Sequence, residues 1–514
     1  MLTPDYIFET SWEVCNKVGG IYAVLSTRAA SMVKEHPDKV IFFGPDFGAH
    51  SDKFFRQDKS LLSKWQRSLR SAHPDIDVRV GRWLVPGEPI AVLIKFDRLW
   101  EKKNNIFSWA WEHFGVQSHA AYGDYDESCL FGYAAGEAMC SLAAALREQE
   151  PKCRIVAHSN EWQTAFSIFY VRHYCPFIGT LFTTHATSIG RSIAGNGKPL
   201  YDYFEGYHGD QMAEELNMVS KHSVEKMAAH WADCFTTVSD ITAAECKQLL
   251  DKPVDIVTPD GFEPDFVPKG KAFDSKRNAA RKALMEAAQN MGFQPVKKDA
   301  FFVCIAGRLE TKNKGIDVFH YAMESLGNKL YHSDSIDREV IAFIMVPYLD
   351  KPVMRIGNVT AIFVPYYLDG KSAMPDKRLA SLNGFTYYDL LIGMDVTAFP
   401  SYYEPWGYTP LESVAFHVPT ITTSLAGFGV WAQQEGSSHI EQGVEVVERS
   451  DSNFWSVVDK IAAAICRFIT LTPEQTTAAR KAAADIAKRA EWRYFFKYYR
   501  QAYNIALTKS QERE

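Results

Sequence analysis

A chain of 514 residues with 46% apolar and 23% charged residues has the make-up of packed globular domains, about two to four of them by length. Its formal net charge of −6 excludes a nucleic-acid or membrane-surface partner, because a polyanion requires a basic face. The nine cysteines are scattered singly from Cys15 to Cys466 with no Cys-x-x-Cys pair, which speaks against a disulfide framework or a zinc site and for a reduced, cytoplasmic protein.

Along the chain, short apolar runs alternate with helical patterns: 5–10 then 20–33, 154–158 then 160–173, and 301–306 then 314–326. That rhythm predicts an α/β fold with parallel sheets. It occurs once before about residue 262 and again after about 300, with a turn at Pro259-Asp260-Gly261 and a Lys/Arg-rich stretch, 268–298, between the two. Two doubly wound domains joined by a hinge follow, 1–262 and 263–480, with 481–514 as a C-terminal helix returning to the first domain. Open parallel sheets bind ligands at the carboxyl ends of their strands, so a cleft between the domains is expected. The N-terminus carries Asp5 and Glu9 where a signal peptide needs basic and apolar residues, and the apolar stretches 301–306 and 340–346 are too short to span a bilayer.

The first strand runs into Asn16-Lys17-Val18-Gly19-Gly20-Ile21, a tight turn or a place where backbone amides approach a ligand. Two later strand ends carry polar clusters, His158-Ser-Asn160-Glu-Trp162 and Thr183-Thr-His185-Ala-Thr187 followed by Arg191. These side chains suit the hydroxyls of a sugar, although a lone strand-end histidine is commonly structural. In the second half, Gly307-Arg308-Leu-Glu-Thr-Lys-Asn-Lys314-Gly315 sets a guanidinium and an ammonium on one strand-to-helix loop. Such a loop is either solvated or neutralises a leaving diphosphate.

Glu404-Pro-Trp-Gly407-Tyr408-Thr409-Pro-Leu-Glu412 predicts a helix start with Thr409 as N-cap, Pro410 as first helical residue and Glu412 closing a capping box. A helix end of this kind attracts phosphate. The two glutamates are too far out of register to form an acid/base pair; Glu404 faces the sugar or its phosphate, while Glu412 either caps the helix or reaches a ribose. Tyr387, upstream, either stacks on a base or is a core tyrosine. The aromatic residues at 492, 495, 496, 499 and 503 share one helical face and predict a terminal helix packed across a domain. Residues 504–514 are polar and expected to fray. No Gly-x-Ser-x-Gly, His-x-x-x-His or Gly-x-Gly-x-x-Gly occurs, which argues against a hydrolase, a metalloenzyme and a dehydrogenase.

Taken together, Trp12-Glu-Val-Cys-Asn-Lys-Val-Gly-Gly-Ile-Tyr22, Thr183-Thr-His-Ala-Thr187, Phe235-Thr-Thr-Val-Ser239, Asp255-Ile-Val-Thr-Pro259, Ala306 to Gly315 and Phe399 to Pro410 resemble the glycogen synthase family of animals and fungi over nearly the whole chain. The resemblance implies the GT-B architecture of two Rossmann-like domains and retaining transfer of glucose from UDP-glucose, or ADP-glucose, to the non-reducing 4-OH of glycogen or a malto-oligosaccharide, with no cofactor and no metal. It implies Arg308 and Lys314 as a diphosphate clamp, the amides of Gly407, Tyr408 and Thr409 as its helix-end partner, Tyr387 on the uracil, Glu404 as the essential glutamate and Glu412 at the nucleotide. Lys17, Gly19, Gly20, His185 and Arg191 are implied on the nucleotide-sugar.

The chain departs from the family where His-Phe-His-Glu-Trp is replaced by His158-Ser-Asn160-Glu-Trp162. The expected donor contact is therefore an asparagine, or is compensated by His158. The arginine cluster of the eukaryotic regulatory helix is reduced to Arg480 among Thr476, Thr477, Ala482, Ala483 and Ala484, which argues against control by glucose 6-phosphate through it. The stretch 350–385 is shorter than the insertion through which the eukaryotic enzymes tetramerise, so a short, prokaryotic-type member is expected, with a homo-oligomer still compatible. A catalytically weak glucan-binding scaffold and a nucleotide-sugar epimerase are the alternatives on the same fold.

Overall fold

The apolar runs become strands because each is buried on both faces, as parallel sheets covered by helices require: Tyr6–Thr10 and Phe301–Ala306 are buried at every position. The computed structural model describes residues 1–291, 296–332 and 338–513; part of the basic stretch 268–298 lies outside the described residues. The chain forms two compact units, one of 1–261 with 492–514, the other of 262–491.

Among the described residues the first unit holds β1 (Tyr6–Thr10), β2 (Val40–Pro45), β3 (Phe55–Gln57), β4 (Asp77–Trp83), β5 (Ile90–Lys95), β6 (Ile155–Asn160), β7 (Gly179–Thr184), β8 (Cys234–Thr237) and β9 (Ile256–Val257). They form one sheet in the order β3-β4-β5-β2-β1-β6-β7-β8-β9, parallel except where β4 pairs antiparallel with both neighbours. The chain leaves β1 toward β2 and later returns to its other side with β6, so the strand order reverses between β1 and β6. The loops after these two strands therefore flank the position where open α/β sheets bind ligands.

The helix Tyr125–Gln149 is long and apolar enough to cross a membrane by length and composition, but 67% of that window is buried, and it packs against the helix Ala165–Tyr174 and the sheet. The terminal helix Trp492–Gln511 buries Trp492, Phe495, Phe496, Tyr499 and Tyr503 against β6 to β9 and the helix Gly20–Glu35. The return to the first unit begins at Trp492 rather than 481, because the preceding helix Pro473–Arg489 packs within the second unit on the helix Tyr408–Ala415. The expected fraying past 504 is not found. The helix runs to Gln511, held by Lys509 on Asp255 at 3.1 Å and by Arg513, whose guanidinium binds Asp233 and the Pro176 carbonyl.

In the second unit, β10 (Phe301–Ala306), β11 (Val340–Met345), β12 (Met354–Ile356), β13 (Val359–Phe363), β14 (Val396–Ala398), β15 (Thr420–Thr423) and β16 (Val444–Val447) form the sheet β12-β13-β11-β10-β14-β15-β16. Only the edge strand β12 is antiparallel. The order reverses between β10 and β14, so the loops 307–315 and 399–407 lie together at the carboxyl ends of the two central strands.

Candidate functional site

In the second unit these two loops are stapled to each other. Asn313 gives its carbonyl to the amides of Tyr402 and Tyr403 at 2.9 and 3.3 Å, and Lys312 lies over the Tyr402 ring at 4.1 Å. Gly315 has φ +69°, and a Cβ there would come within 1.9 Å of the Pro400 carbonyl oxygen, so the close approach needs a glycine on both counts. The consequence is an ion pair across the loops: Lys314 Nζ meets Glu404 Oε2 at 2.5 Å with side chains 21% and 13% exposed. The Ser401 hydroxyl donates to the same oxygen at 3.3 Å.

The turn after Glu404 is fastened from behind. The Gly427 and Phe428 amides donate to the Glu404 and Trp406 carbonyls at 3.1 and 2.8 Å, and Trp406 is buried against Phe428 and Trp431. The helix it leads into, Tyr408–Ala415, is N-capped by Gly407 at φ +113° with no capping side chain. This corrects the assignment of Thr409 as N-cap: Gly407 turns the chain early, Thr409 and Pro410 fall inside the first turn, and Glu412 closes no capping box. That motif belongs instead to Thr386 and Asp389, at the start of the helix Tyr387–Leu391. A Cβ at Gly407 would lie 3.3 Å from the Glu404 Cγ, so its absence leaves room for that side chain against an uncapped helix end.

Arg308, Tyr387, Thr409 and Glu412 line one cavity of about 500 Å³ at the carboxyl ends of β10, β11 and β13. Arg308 is 67% exposed and touches Glu310 at 2.9 Å. Tyr387 is half-buried, and its hydroxyl is buried without a hydrogen-bond partner among the described residues. Glu412 accepts from the Tyr388 hydroxyl at 2.7 Å; burial pushes its carboxyl up to about 7, against the lowering effect of that hydrogen bond. Lys314 and Glu404 do not line this cavity.

The first unit's residues behave differently. The loop after β1 keeps Lys17, Gly19 and Gly20 exposed, yet the amides of Gly19 and Tyr22 donate to Glu13 Oε2 at 2.7 and 2.9 Å. The expected approach of these amides to a ligand is thus replaced by an internal carboxylate, and a Cβ at Gly19 would sit 3.0 Å from Glu13 Oε1. Lys17 lies over the Tyr22 ring at 5.7 Å, and Arg191 is exposed on the helix Ser188–Gly195.

Asn160 and His158 are correctly placed on a strand end but turned inward. His158 is fully buried, with Nδ1 at 3.2 Å from Glu9 and Nε2 at 2.8 Å from the Thr183 hydroxyl, so it reaches no ligand and does not compensate for the asparagine. Asn160 Nδ2 donates to Glu9 Oε1 at 2.7 Å and the Thr10 carbonyl at 3.2 Å. Both are acceptors only, which fixes the amide's orientation and turns its oxygen toward His185 Nε2 at 3.1 Å. That nitrogen therefore carries the proton, and burial, with Arg28 and His158, holds the His185 imidazole neutral, its pKa down at about 3.

Two groups, the Arg28–Glu9 pair and Glu161, were missed from sequence. Arg28, on the buried face of the helix Gly20–Glu35, pairs with Glu9 with both side chains fully buried, and stacks at 4.2 Å on the Tyr499 ring. Burial would raise the Glu9 carboxyl, but Arg28 and His158 outweigh it and hold the pKa at about 2. A carboxylate inside the apolar run Tyr-Ile-Phe-Glu9-Thr, and an arginine in register with Val24, Leu25 and Met32, were the available signals. Glu161 has φ +70° and accepts from the His185 amide at 2.7 Å; burial and the neighbouring Glu225 push its carboxyl up to about 8. Positive φ at a glutamate has no sequence signal. Arg480, read from sequence as the main basic survivor of the regulatory arginines, donates to the Met394 carbonyl and lines a cavity of about 770 Å³ with Lys269, Arg277, His417, Lys481 and Lys488. Basic groups gather there from several elements rather than from one helix.

The glycogen synthase family model matches residues 9–355 and 355–513. The chain is 25% identical to a glycogen (starch) synthase of Dictyostelium discoideum, over 98% of this chain and 67% of that one. It is 24% identical to the human liver glycogen (starch) synthase, over 98% and 84%. Among solved structures it is similar to the catalytic domain of starch synthase IV from Arabidopsis thaliana, with TM-score 0.57 at 14% identity over 98% of this chain and 100% of that one. It is also similar to a trehalose 6-phosphate synthase from Burkholderia multivorans, with TM-score 0.54 at 10% identity over 100% and 99%. These neighbours carry the GT-B fold. With its two parallel-rich sheets and a family match running from Glu9 to Arg513, the chain belongs to the glycogen synthase family.

Proposed function

We propose that the protein transfers glucose from UDP-glucose to the non-reducing 4-OH of an α-1,4-glucan, with retention at the anomeric carbon. The observation that carries this reading is the cavity that gathers Arg308, Tyr387, Thr409 and Glu412 in the same unit as the Lys314–Glu404 ion pair. Arg308, Lys314 and the amides of Gly407, Tyr408 and Thr409 at the helix end hold the diphosphate, Tyr387 takes the base, and Glu412 the ribose. Glu404 addresses the glucose. In the first unit, Lys17, Gly20, His185 and Arg191 serve recognition of sugar and phosphate oxygens, Asn160 acts through His185, and Gly19, whose amide is taken by Glu13, shapes the turn.

In the transfer the bond from the anomeric carbon to the diphosphate oxygen breaks and its electron pair leaves with UDP. The glucan hydroxyl oxygen bonds to that carbon on the same face, and its proton passes to the departing diphosphate. The protein positions both partners and stabilises the charge that develops on the leaving group.

The test is purified protein with labelled UDP-glucose or ADP-glucose, with and without glycogen, following glucan incorporation and free nucleotide. Glycogen-dependent incorporation is expected. Nucleotide-sugar conversion without acceptor would make the protein an epimerase, and glycogen binding without turnover a scaffold.

The raised carboxyl of Glu412 adds a pH dependence. A ribose hydroxyl donates to the carboxylate and not to the protonated acid's own donor, so UDP affinity increases as pH rises through about 7. Calorimetric titrations with UDP between pH 6 and 8 check this, and in Glu412→Gln only the dependence from UDP's own phosphate, which ionises at about pH 6, is expected to remain.

A further inference from the structure

In the first unit the helices Tyr125–Gln149 and Ala165–Tyr174 lie side by side and advance in the same four-residue steps. A Cβ at Gly132 would be 3.1 Å from the Phe166 Cβ, and one at Gly136 would be 2.5 Å from the Tyr170 Cβ, so glycine lets the two backbones approach closely. One step further along the first helix is Cys140, and one step further along the second is its end, where Cys175 is the C-terminal cap. The two thiols hydrogen-bond each other. A disulfide requires Cα atoms only about 5.5–6 Å apart, and a glycine-lined contact brings helix backbones that near.

The two sulfurs are not equivalent. The hydrogen bond from Cys140 holds the Cys175 thiol below its ordinary value against the effect of burial, and Arg147 adds to the lowering. Burial and the same hydrogen bond push the Cys140 thiol well up. Burial likewise raises the other cysteines, such as Cys129, Cys234 and Cys304. Because the thiolate is the nucleophile, Cys175 attacks and Cys140 stays protonated beside it. Cys175 lies between exposed Tyr174 and Pro176 but is itself only 8% exposed, an opening that suits an oxidant of a few atoms. Neither cysteine lines the cavity that gathers Arg308 and Tyr387.

We propose that Cys140 and Cys175 form a reversible dithiol site that a small hydroperoxide converts to a disulfide. The Cys175 sulfur bonds to one peroxide oxygen as the O–O bond breaks, leaving a sulfenic acid and a hydroxide or alkoxide. That leaving group takes the Cys140 proton and departs as water or an alcohol. The Cys140 sulfur then bonds to the Cys175 sulfur, and the sulfenic oxygen leaves as hydroxide, which solvent protonates to water. Two thiols lose two electrons in all, and one peroxide gains them. The bridge ties the helix that follows the polar strand end at 158–162 to the long core helix, and a dithiol reductant reopens it.

The test treats the reduced full-length protein with hydrogen peroxide and maps the thiols by alkylation and mass spectrometry. Peroxide is expected to join the peptides that hold Cys140 and Cys175, and dithiothreitol to separate them. The bridged form is expected to unfold about 5 °C higher than the reduced one. In Cys140→Ser, Cys175 is expected to stop at the sulfenic acid and be trapped by dimedone; in Cys175→Ser, Cys140 is expected to stay a thiol. Two unreacted thiols in wild type overturn the proposal, a result that needs no variant to fold. So do a bridge from Cys175 to another cysteine, a bridge formed by glutathione disulfide but not by peroxide, and a sulfenic acid on Cys140. An equal or lower unfolding temperature overturns the fit of the bridge to the native helix packing.

Discussion

Replacing Glu404 by glutamine cuts glucosyl transfer by about 10²–10³-fold while UDP still binds. The amide keeps the size of the side chain and its contact with the Ser401 hydroxyl, but removes the charge that meets Lys314 Nζ at 2.5 Å. Glu404 does not line the cavity that gathers Arg308, Tyr387 and Glu412, so nucleotide affinity is expected to hold within a few-fold. A charge that acts as the glycosidic bond breaks is lost from kcat rather than from KM. Initial rates at saturating UDP-glucose and UDP titrations on the same preparation separate the two. Transfer within a few-fold of wild type would remove Glu404 from the reacting centre, and a matching loss of UDP binding would move it to the nucleotide.

Arg28→Ala lowers the stability of the protein by about 3–5 kcal/mol, the usual cost of removing one partner of a buried ion pair. Glu9 and Arg28 are both without exposure, so the remaining carboxylate has no water to turn to. The guanidinium also stacks on Tyr499 at 4.2 Å and lies 5.8 Å from the Trp492 ring, so the loss extends to the docking of the terminal helix. The pair carries a pH signature whose sign follows from the lowered Glu9 carboxyl. With a folded pKa of about 2, against an unfolded value of about 4.3, its contribution is complete above the unfolded value and is lost as pH falls toward the folded one. Urea unfolding followed by tryptophan fluorescence at pH 7 and at pH 4 reads both effects: wild type loses stability on acidification, and Arg28→Ala loses less because the advantage is already gone. A difference under 1 kcal/mol at pH 7 would show that the pair is replaceable by repacking.

The strands, the loops that follow them and the aromatic face of the last helix were legible because each is a local pattern. Phe301–Ala306 is apolar throughout and buried throughout, and the 492, 495, 496, 499 and 503 stripe is buried as its spacing predicts. The helix start after Glu404 was misread because Thr409 and Glu412 have the spacing of a capping box, whereas the conformation of Gly407 decides where the helix begins. Asn160 looked like a ligand contact by its position at the end of a strand. Its amide is committed to Glu9 and His185, partners distant in sequence that only the sheet brings beside it.

From sequence alone come the α/β class, the two successive strand–helix rhythms, the family resemblance and the two loops that meet beside β10 and β14. Periodicity and residue type suffice for these because backbone hydrogen bonding and the burial of apolar faces act locally. Tertiary structure alone decided that Lys314 pairs with Glu404, that Glu13 fills the helix start at Gly19 and that Arg28 lies buried under Tyr499. A charge takes its partner and its ionisation state from whichever groups surround it once water is excluded, and those neighbours are set by how strands order in the sheet, not by their order in the chain.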